Sequence, residues 1–390
     1  IIRHSAAERF DMDPESIILH ATQTHSTPAL GHELISDEYN NLPPEAWFLH
    51  GGDERYHPIA IQGILEAIEK ALANMRPIGM MAGRGIDGRV AFNRRYIMRN
   101  GTGQTHPGNC DPNILQAEGP VDPEVGVMLF IDDNGARIAA LLHHTCHPCH
   151  GYPLRWVSAG WPGAWARNTQ NIFGSQCVSL VLNGFCGNIH HRNHLDPSQT
   201  DNYTDMAQKL TETTQKIVMQ NMREIPSDTL AYAMQTIKLD RRKPDAAEFK
   251  AAKKLLAEHP DPMWTDKAKT SVHWDWVYAV ALMDLSNHYK KSPLYDYPVQ
   301  VIRLGDVSIV GIPGEPFVEE QLRIKLKSPA PFTFCAHMAN GSAGYIPTER
   351  AFAYGGYETR TANWSCLAPD SLTRIGDFAI QMLQKLHKQG

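Results

Sequence analysis

The hydrophobic residues of this 390-residue chain follow two different periods, and the period changes several times along its length. From Ala60 to Met75, Ile61, Ile64, Leu65, Ile68 and Leu72 recur every three or four residues, which predicts an amphipathic helix. Similar spacing predicts helices over 204–222, over 245–258 with Ala246, Phe249, Leu255 and Leu256 on one face, and over 370–388. Elsewhere the apolar residues come in short runs. Val125–Ile131 and Ala136–Leu142 flank Asp132-Asp133-Asn134-Gly135, the composition of a tight hairpin turn. Val299–Leu304 and Val307–Ile312 flank Gly305-Asp306 and predict a second hairpin. Ser16–Ala21 reads as a short buried strand, Val178–Leu182 as another short apolar strand, and Gly79–Gly103 as a Gly/Arg-rich loop.

Helices and strands alternate without an internal repeat or a low-complexity linker. That pattern predicts an α/β protein: a single large domain over 1–390, with mixed β-sheets flanked by helices. Segment 240–297 is the best candidate for an insertion or lid. Residues 3–16 read as the end of a helix closed by a turn at Asp13-Pro14-Glu15. The opening Ile1-Ile2-Arg3-His4 looks like the interior of that helix, so the native start is expected upstream.

Polar chemistry collects where predicted strands end, the position at which α/β folds bind ligands. Gln23-Thr24-His25 follows the first strand, His143–His150 the first hairpin, Asn183–Asn188 the Val178 strand, and Pro313-Gly314-Glu315 the second hairpin. The chain carries 19 histidines, more than a solvated surface requires, and imidazole both ligates metals and moves protons. Trp264, Trp274 and Trp276 offer flat faces suited either to sugar stacking or to core filling, and Trp274 is taken as a substrate contact. A net charge of −5 gives no field for nucleic acid, and no apolar run reaches the ~18 residues of a membrane span. Seven cysteines show no disulfide framework, and Cys146 and Cys149 have no second pair at zinc-ribbon spacing.

Five of these segments, in this order, resemble motifs of the neutral and alkaline ceramidases and their bacterial relatives. Gln23-Thr24-His25-Ser26-Thr27-Pro28 is similar to the His-Thr-His-Ser-Gly-Pro motif, and Asn93-Arg94-Arg95 to the Asn-Arg motif. Val121–Val125 with Cys146-His147-Pro148 resembles the central strand and metal-binding histidine. Pro313-Gly314-Glu315 and Asn340–Tyr345 resemble the last two motifs. The resemblance implies a divalent metal, zinc by family, held at positions 23, 147, 315 and 345: Gln23, His147, Glu315 and Tyr345. It also implies that His25 and Arg94 lie beside the metal and contact substrate, and it suggests a secreted or periplasmic location.

Three departures change the expected chemistry. Gln23 replaces the family's first histidine ligand, Gly187-Asn188-Ile189-His190 stands where the family keeps Gly-Asp-x-Ser and its catalytic serine, and Ser158-Ala159-Gly160 where it keeps Ser-Ala-Asp. Either the metal is bound differently, recruiting His25 or His144, or it is lost. The expected catalytic groups are therefore His25, Arg94, Tyr345 and His190. Arg95, His191 and Arg192 are expected to bind an anionic part of the substrate. Three functions stay open for a small-molecule or glycan substrate. They are metal-dependent hydrolysis of a polar, carbohydrate-type anionic substrate, β-elimination beside a uronic acid, and non-catalytic sugar binding on a retained fold.

Overall fold

The computed structural model describes residues 1–31, 34–152, 156–198, 201–226 and 228–388. Its strands form two main sheets. The five-stranded sheet runs Arg223–Ile225, Ile78–Ile86, Glu124–Asp132, Arg137–His144 and Val178–Asn183, antiparallel except for its last, parallel pair. The four-stranded sheet runs Leu230–Asp240, Leu294–Leu304, Val307–Gly311 and Phe332–Ala336, again with one parallel pair at its end.

Inward-pointing side chains of both sheets, among them Met80, Met128, Leu182, Ile302, Ile309 and Phe334, share one buried cluster, so the sheets pack face to face. Helices cover the outer faces. Gly160–Asn168 and Tyr203–Gln220 bury Trp161, Trp165, Leu210 and Ile217 against the five-stranded sheet. Val318–Lys327 and Ser371–Lys388 bury Ile324, Ile375, Ala379 and Leu383 against the four-stranded one. The protein is a mixed α/β domain of several sheets flanked by helices.

Both hairpins form at the expected places, and the predicted helices run His57–Ala73, Tyr203–Gln220, Ala246–Glu258 and Ser371–Lys388. Two expectations need correction. Ser16–Ala21 is extended but makes no ladder: after the turn Pro14–Ser16 it joins residues 338–340 through one bridge, His20 to Ala339, and a few flanking hydrogen bonds. Gly79–Gly103 is not a loop but includes the Ile78–Ile86 strand, Phe92–Asn93 and Arg95–Met98. Its glycines serve packing. A Cβ on Gly83 would stand 2.7 Å from the Asn221 carbonyl oxygen, and one on Gly85 would stand 2.9 Å from Ile217, so the strand meets the helix at closer range than alanine permits.

Within 240–297, Ala246–Glu258 packs on the helix Trp274–Lys291. The second of these shares a core with Ile35, Tyr39 and Leu49 and with Tyr345 and Trp364. No helix among the described residues is long and apolar enough to cross a membrane.

Candidate metal-dependent active site

Two very short parallel strands, Glu315–Pro316 and Tyr345–Ile346, pair Glu315 with Tyr345. The turn before them requires glycine: Gly314 has φ 83°, and a Cβ there would lie 2.5 Å from the Gly344 carbonyl. On the other side, Phe92–Asn93 pairs with Ile189–His190, and His147 bridges to His190, which brings Arg94, His147 and His190 to the same end of the fold. Residues more than 300 apart in sequence thus converge, since the Gln23–His25 loop arrives through a hydrogen bond from the His25 amide to the Pro148 carbonyl.

The centre of the site is the pair His147 and Glu315. His147 is fully buried, and its Nδ1 donates to the Cys186 carbonyl at 3.2 Å. Burial, Arg94 and His25 hold its pKa well below that of ordinary imidazole, so the ring is neutral and its single proton lies on Nδ1. Its Nε2 therefore presents a lone pair, and it faces Glu315 Oε2 at 3.5 Å with no hydrogen bond of its own among the described residues. Two acceptors facing each other at that distance suit a shared cation, and the Cys186 carbonyl on the ring's other nitrogen holds the imidazole in place. His25, His147 and Cys149 add donor atoms that lie within 4.8 Å of one another, although burial pushes the Cys149 thiol well up. The rings of His25 and His147 are 5.1 Å apart, edge to face. The residues present thus fit a divalent ion.

Gln23 adopts a left-handed backbone, φ 65°, which places its side chain against His337 Nε2 at 3.2 Å. The contacting atom of Gln23 is its amide oxygen Oε1, while His337 Nδ1 lies 3.0 Å from the Asn183 carbonyl oxygen, and Gln23 also lines the pocket. Gln23 is therefore backed by a fully buried imidazole whose pKa burial lowers to about 4.

Arg94 lies over the Tyr345 ring, 5.2 Å from its centroid, and its Nε donates to Glu358 Oε1 at 2.9 Å. Burial disfavours the guanidinium, yet Tyr345, Glu358 and Glu315 outweigh it and keep Arg94 charged. Burial followed by Glu315 pushes the Tyr345 phenol well up, so it holds its proton. His25 keeps an exposed edge, but the protein atoms packed around its ring desolvate it and, with Arg94, lower it to about 4, leaving the imidazole neutral.

A cavity of about 200 Å³ opens onto this cluster. Gln23, His25, Glu315 and Tyr345 line it on the side of the cluster, together with Arg241, His288, Tyr295, Tyr357, Asn363 and Trp364. Trp274 stands at 46% exposure beside Trp364, with ring centroids 6.4 Å apart.

The other sequence candidates lie outside this lining. Arg95 is fully buried and engaged with Glu118, Glu358 and the Gly355 carbonyl. His190 accepts the Arg192 amide at Nδ1, 3.1 Å, so its proton sits on Nε2. His191 and Arg192 both bind Asp201, on a different cavity. His144 turns its Nδ1 to the Glu124 carbonyl and its edge to Trp161, away from the metal ligands.

Three contributors are not among the site residues expected from the sequence. Asn183 ends its strand fully buried and ties the site together: Oδ1 accepts the Cys146 amide, while Nδ2 donates to the Thr22 and Cys146 carbonyls. His337 directly follows the apolar run Phe332–Ala336, so the same strand-end reasoning that picks out His25 applies to it. Glu358 carries no local signal at all.

The fold is that of the ceramidases. A crystal structure of neutral ceramidase from Pseudomonas aeruginosa superposes with a TM-score of 0.71 at 17% identity, covering all of this chain and 64% of that one. A ceramidase complexed with C2 gives 0.70, also at 17% identity, with 100% and 65% covered. In sequence, the neutral ceramidase of Pseudomonas aeruginosa is 29% identical over 136 residues, which is 35% of this chain and 18% of that protein. The chain thus spans less than two-thirds of each of these proteins. No protein-family model matches it.

Proposed function

We propose that the chain is a metal-dependent hydrolase of the neutral-ceramidase-like superfamily, acting on a polar and anionic substrate of carbohydrate type. The observation that carries this reading is the confrontation of His147 Nε2 and Glu315 Oε2 at 3.5 Å, with the His147 proton committed to Cys186. A divalent ion held by His147, Glu315 and neighbouring groups of the cluster, zinc by chemistry of the donor set, would polarise a scissile carbonyl and acidify water.

The chain's own residues complete the reaction. Tyr345 keeps its phenolic proton and donates it to charge developing on the substrate oxygen, with Arg94 behind its ring supplying positive potential. His25 has a free lone pair facing the pocket and accepts a proton from the attacking water. His190, standing where the resemblance places a serine, carries its proton on Nε2 and lies outside the cavity lining, so no nucleophile is assigned at that position.

The pocket lining supports a polar substrate. Tyr357 and Trp364 lie 25° apart with centroids 6.0 Å from each other, giving a flat wall for a sugar-like ring. Arg241, whose Nε is buried without a hydrogen bond among the described residues, suits an anionic group. Since Arg192 and His191 are engaged with Asp201, Arg241 takes the role of anion contact.

The test is Glu315→Gln. Bound metal and turnover of acyl-amide or ester glycans should both fall, the latter by roughly 100-fold or more, about 2.7 kcal/mol of transition-state stabilisation. Full metal content with unchanged turnover would sink this reading.

A further inference from the structure

A second group of side chains points to another ion. His150, His191 and Asp201 each bring a donor atom within 4.8 Å of the others. His150 and His191 line a separate cavity of about 210 Å³, together with Asp196, Asn202, Asp205, Arg89 and Lys209. His150 and His191 are 4% and 2% exposed, and their rings stack with centroids 3.5 Å apart at 18°. Face-to-face stacking at that distance tolerates neutral rings and opposes a pair of imidazolium ions.

His191 Nε2 lies 2.8 Å from Asp201 Oδ1, hydrogen-bond distance, and the same ring hydrogen-bonds to the His147 backbone. A divalent ion binds there by displacing the proton between Nε2 and Oδ1, so the two groups that share a proton become two ligands of one cation. The other carboxylate oxygen, Oδ2, is held by Arg192, which fixes the orientation of Asp201 and leaves Oδ1 for the shared point. His150 Nδ1 is buried without a hydrogen bond among the described residues, so the cluster contains a polar atom that the protein itself does not satisfy.

We propose that His150, His191 and Asp201 form a binding site for zinc or another late first-row divalent ion, distinct from the His147–Glu315 centre. Two imidazoles and one carboxylate suit such ions and not magnesium or calcium, which take all-oxygen shells. Donors within 4.8 Å of one another need only small side-chain rotations to reach the ~3.3 Å separations of tetrahedral ligands at bond lengths near 2.0–2.1 Å. Asp196, Asn202 and Asp205 provide outer acceptors for water in the remaining positions. An ion there fastens the segment that follows His147 to the one that follows His190, and so fixes the two histidines relative to each other.

The experiment strips the full chain of metal and titrates zinc against a chromophoric chelator. Glu315→Gln should retain one tight equivalent, and adding Asp201→Asn or His150→Gln should weaken that equivalent by at least about 100-fold, the scale expected when a direct ligand is removed. Cobalt in place of zinc in the Glu315→Gln protein should give visible d–d bands that the Asp201 substitution abolishes. Circular dichroism confirms folding, which Asp201, with its side chain 29% exposed, should tolerate. The proposal is overturned if Glu315→Gln binds no metal, or if its remaining equivalent and cobalt bands survive both substitutions. The two sites fail separately. A wild-type chain that binds one equivalent, lost with Asp201→Asn and kept with Glu315→Gln, would support this site and refute the catalytic one.

Discussion

Removing the charge of Glu358 tests the electrostatic frame behind the site. Its carboxylate is fully buried, and it accepts from Arg94 Nε at 2.9 Å, Arg95 Nη1 at 2.7 Å and Thr105 Oγ1 at 2.6 Å. Arg94 and Arg95 have 4% and 0% side-chain exposure, so both guanidinium groups depend on this partner in a poorly solvated setting. Glu358→Gln keeps the shape and leaves two buried cations short of one negative charge. Loss of one member of a buried ion pair costs about 3–5 kcal/mol, and Glu118 still pairs with Arg95, which places the expected loss near the lower end.

Glu358 also carries a pH signature. Burial works against its ionisation, but Arg94, Arg95 and Thr105 outweigh burial and hold its pKa below the ordinary value. A carboxyl depressed in the folded state stabilises above its unfolded pKa and loses that contribution as pH falls through the folded one. Thermal melting followed by circular dichroism from pH 7 to pH 3 should therefore show a smaller acid decline from this group in the variant. A loss under about 1 kcal/mol at pH 7, with an acid profile parallel to wild type, would refute the reasoning.

Three further outcomes follow from the geometry. Asn183→Ala leaves the Cys146 amide and two carbonyls unpaired in the interior and should destabilise by about 2–4 kcal/mol, measured by denaturant melts, with lower metal affinity as its functional readout. Gln23→His puts an imidazole where a neutral amide stands and should tighten zinc roughly tenfold, about 1.4 kcal/mol, in a chelator competition; unchanged affinity removes position 23 from the ligand set. Burial lowers His20, His106 and His150 to about 3 and His337 to about 4, so the unfolded chain binds more protons below pH 6.5. Stability should then fall as pH drops from about 6.5 toward 4, by up to about 1.4 kcal/mol per pH unit for each histidine, and His106→Gln should flatten that slope.

Much of the fold can be read locally. The hairpin at Asp132–Gly135 and the helix His57–Ala73 are written in the spacing of their own residues. Ser16–Ala21 looks like a strand because burial and extension leave the same mark as pairing, while the missing ladder depends on what lies alongside. The glycines at 83 and 85 imply looseness in sequence, yet they record the approach of a helix that begins 120 residues later. The site behaves likewise. His147, Glu315 and Tyr345 lie at element ends where polar residues draw notice. Glu358 acquires meaning only from Arg94, 264 positions away, and Arg95 reads as an anion binder until that carboxylate is seen to occupy it.

The cavity divides its labour between different stretches of chain. Its lining on the side of the cluster comes from the loop at 23–25 and the paired strands at 315 and 345, whereas much of the rest comes from Arg241, His288, Tyr295, Asn363 and Trp364. Those five residues make no contribution to the knot around Asn183 or to the ion pairs of Glu358. Selection can therefore rewrite which molecules enter while the reacting groups stay under separate constraint, and a laboratory library confined to those five positions samples new specificities without rebuilding the chemistry beside them.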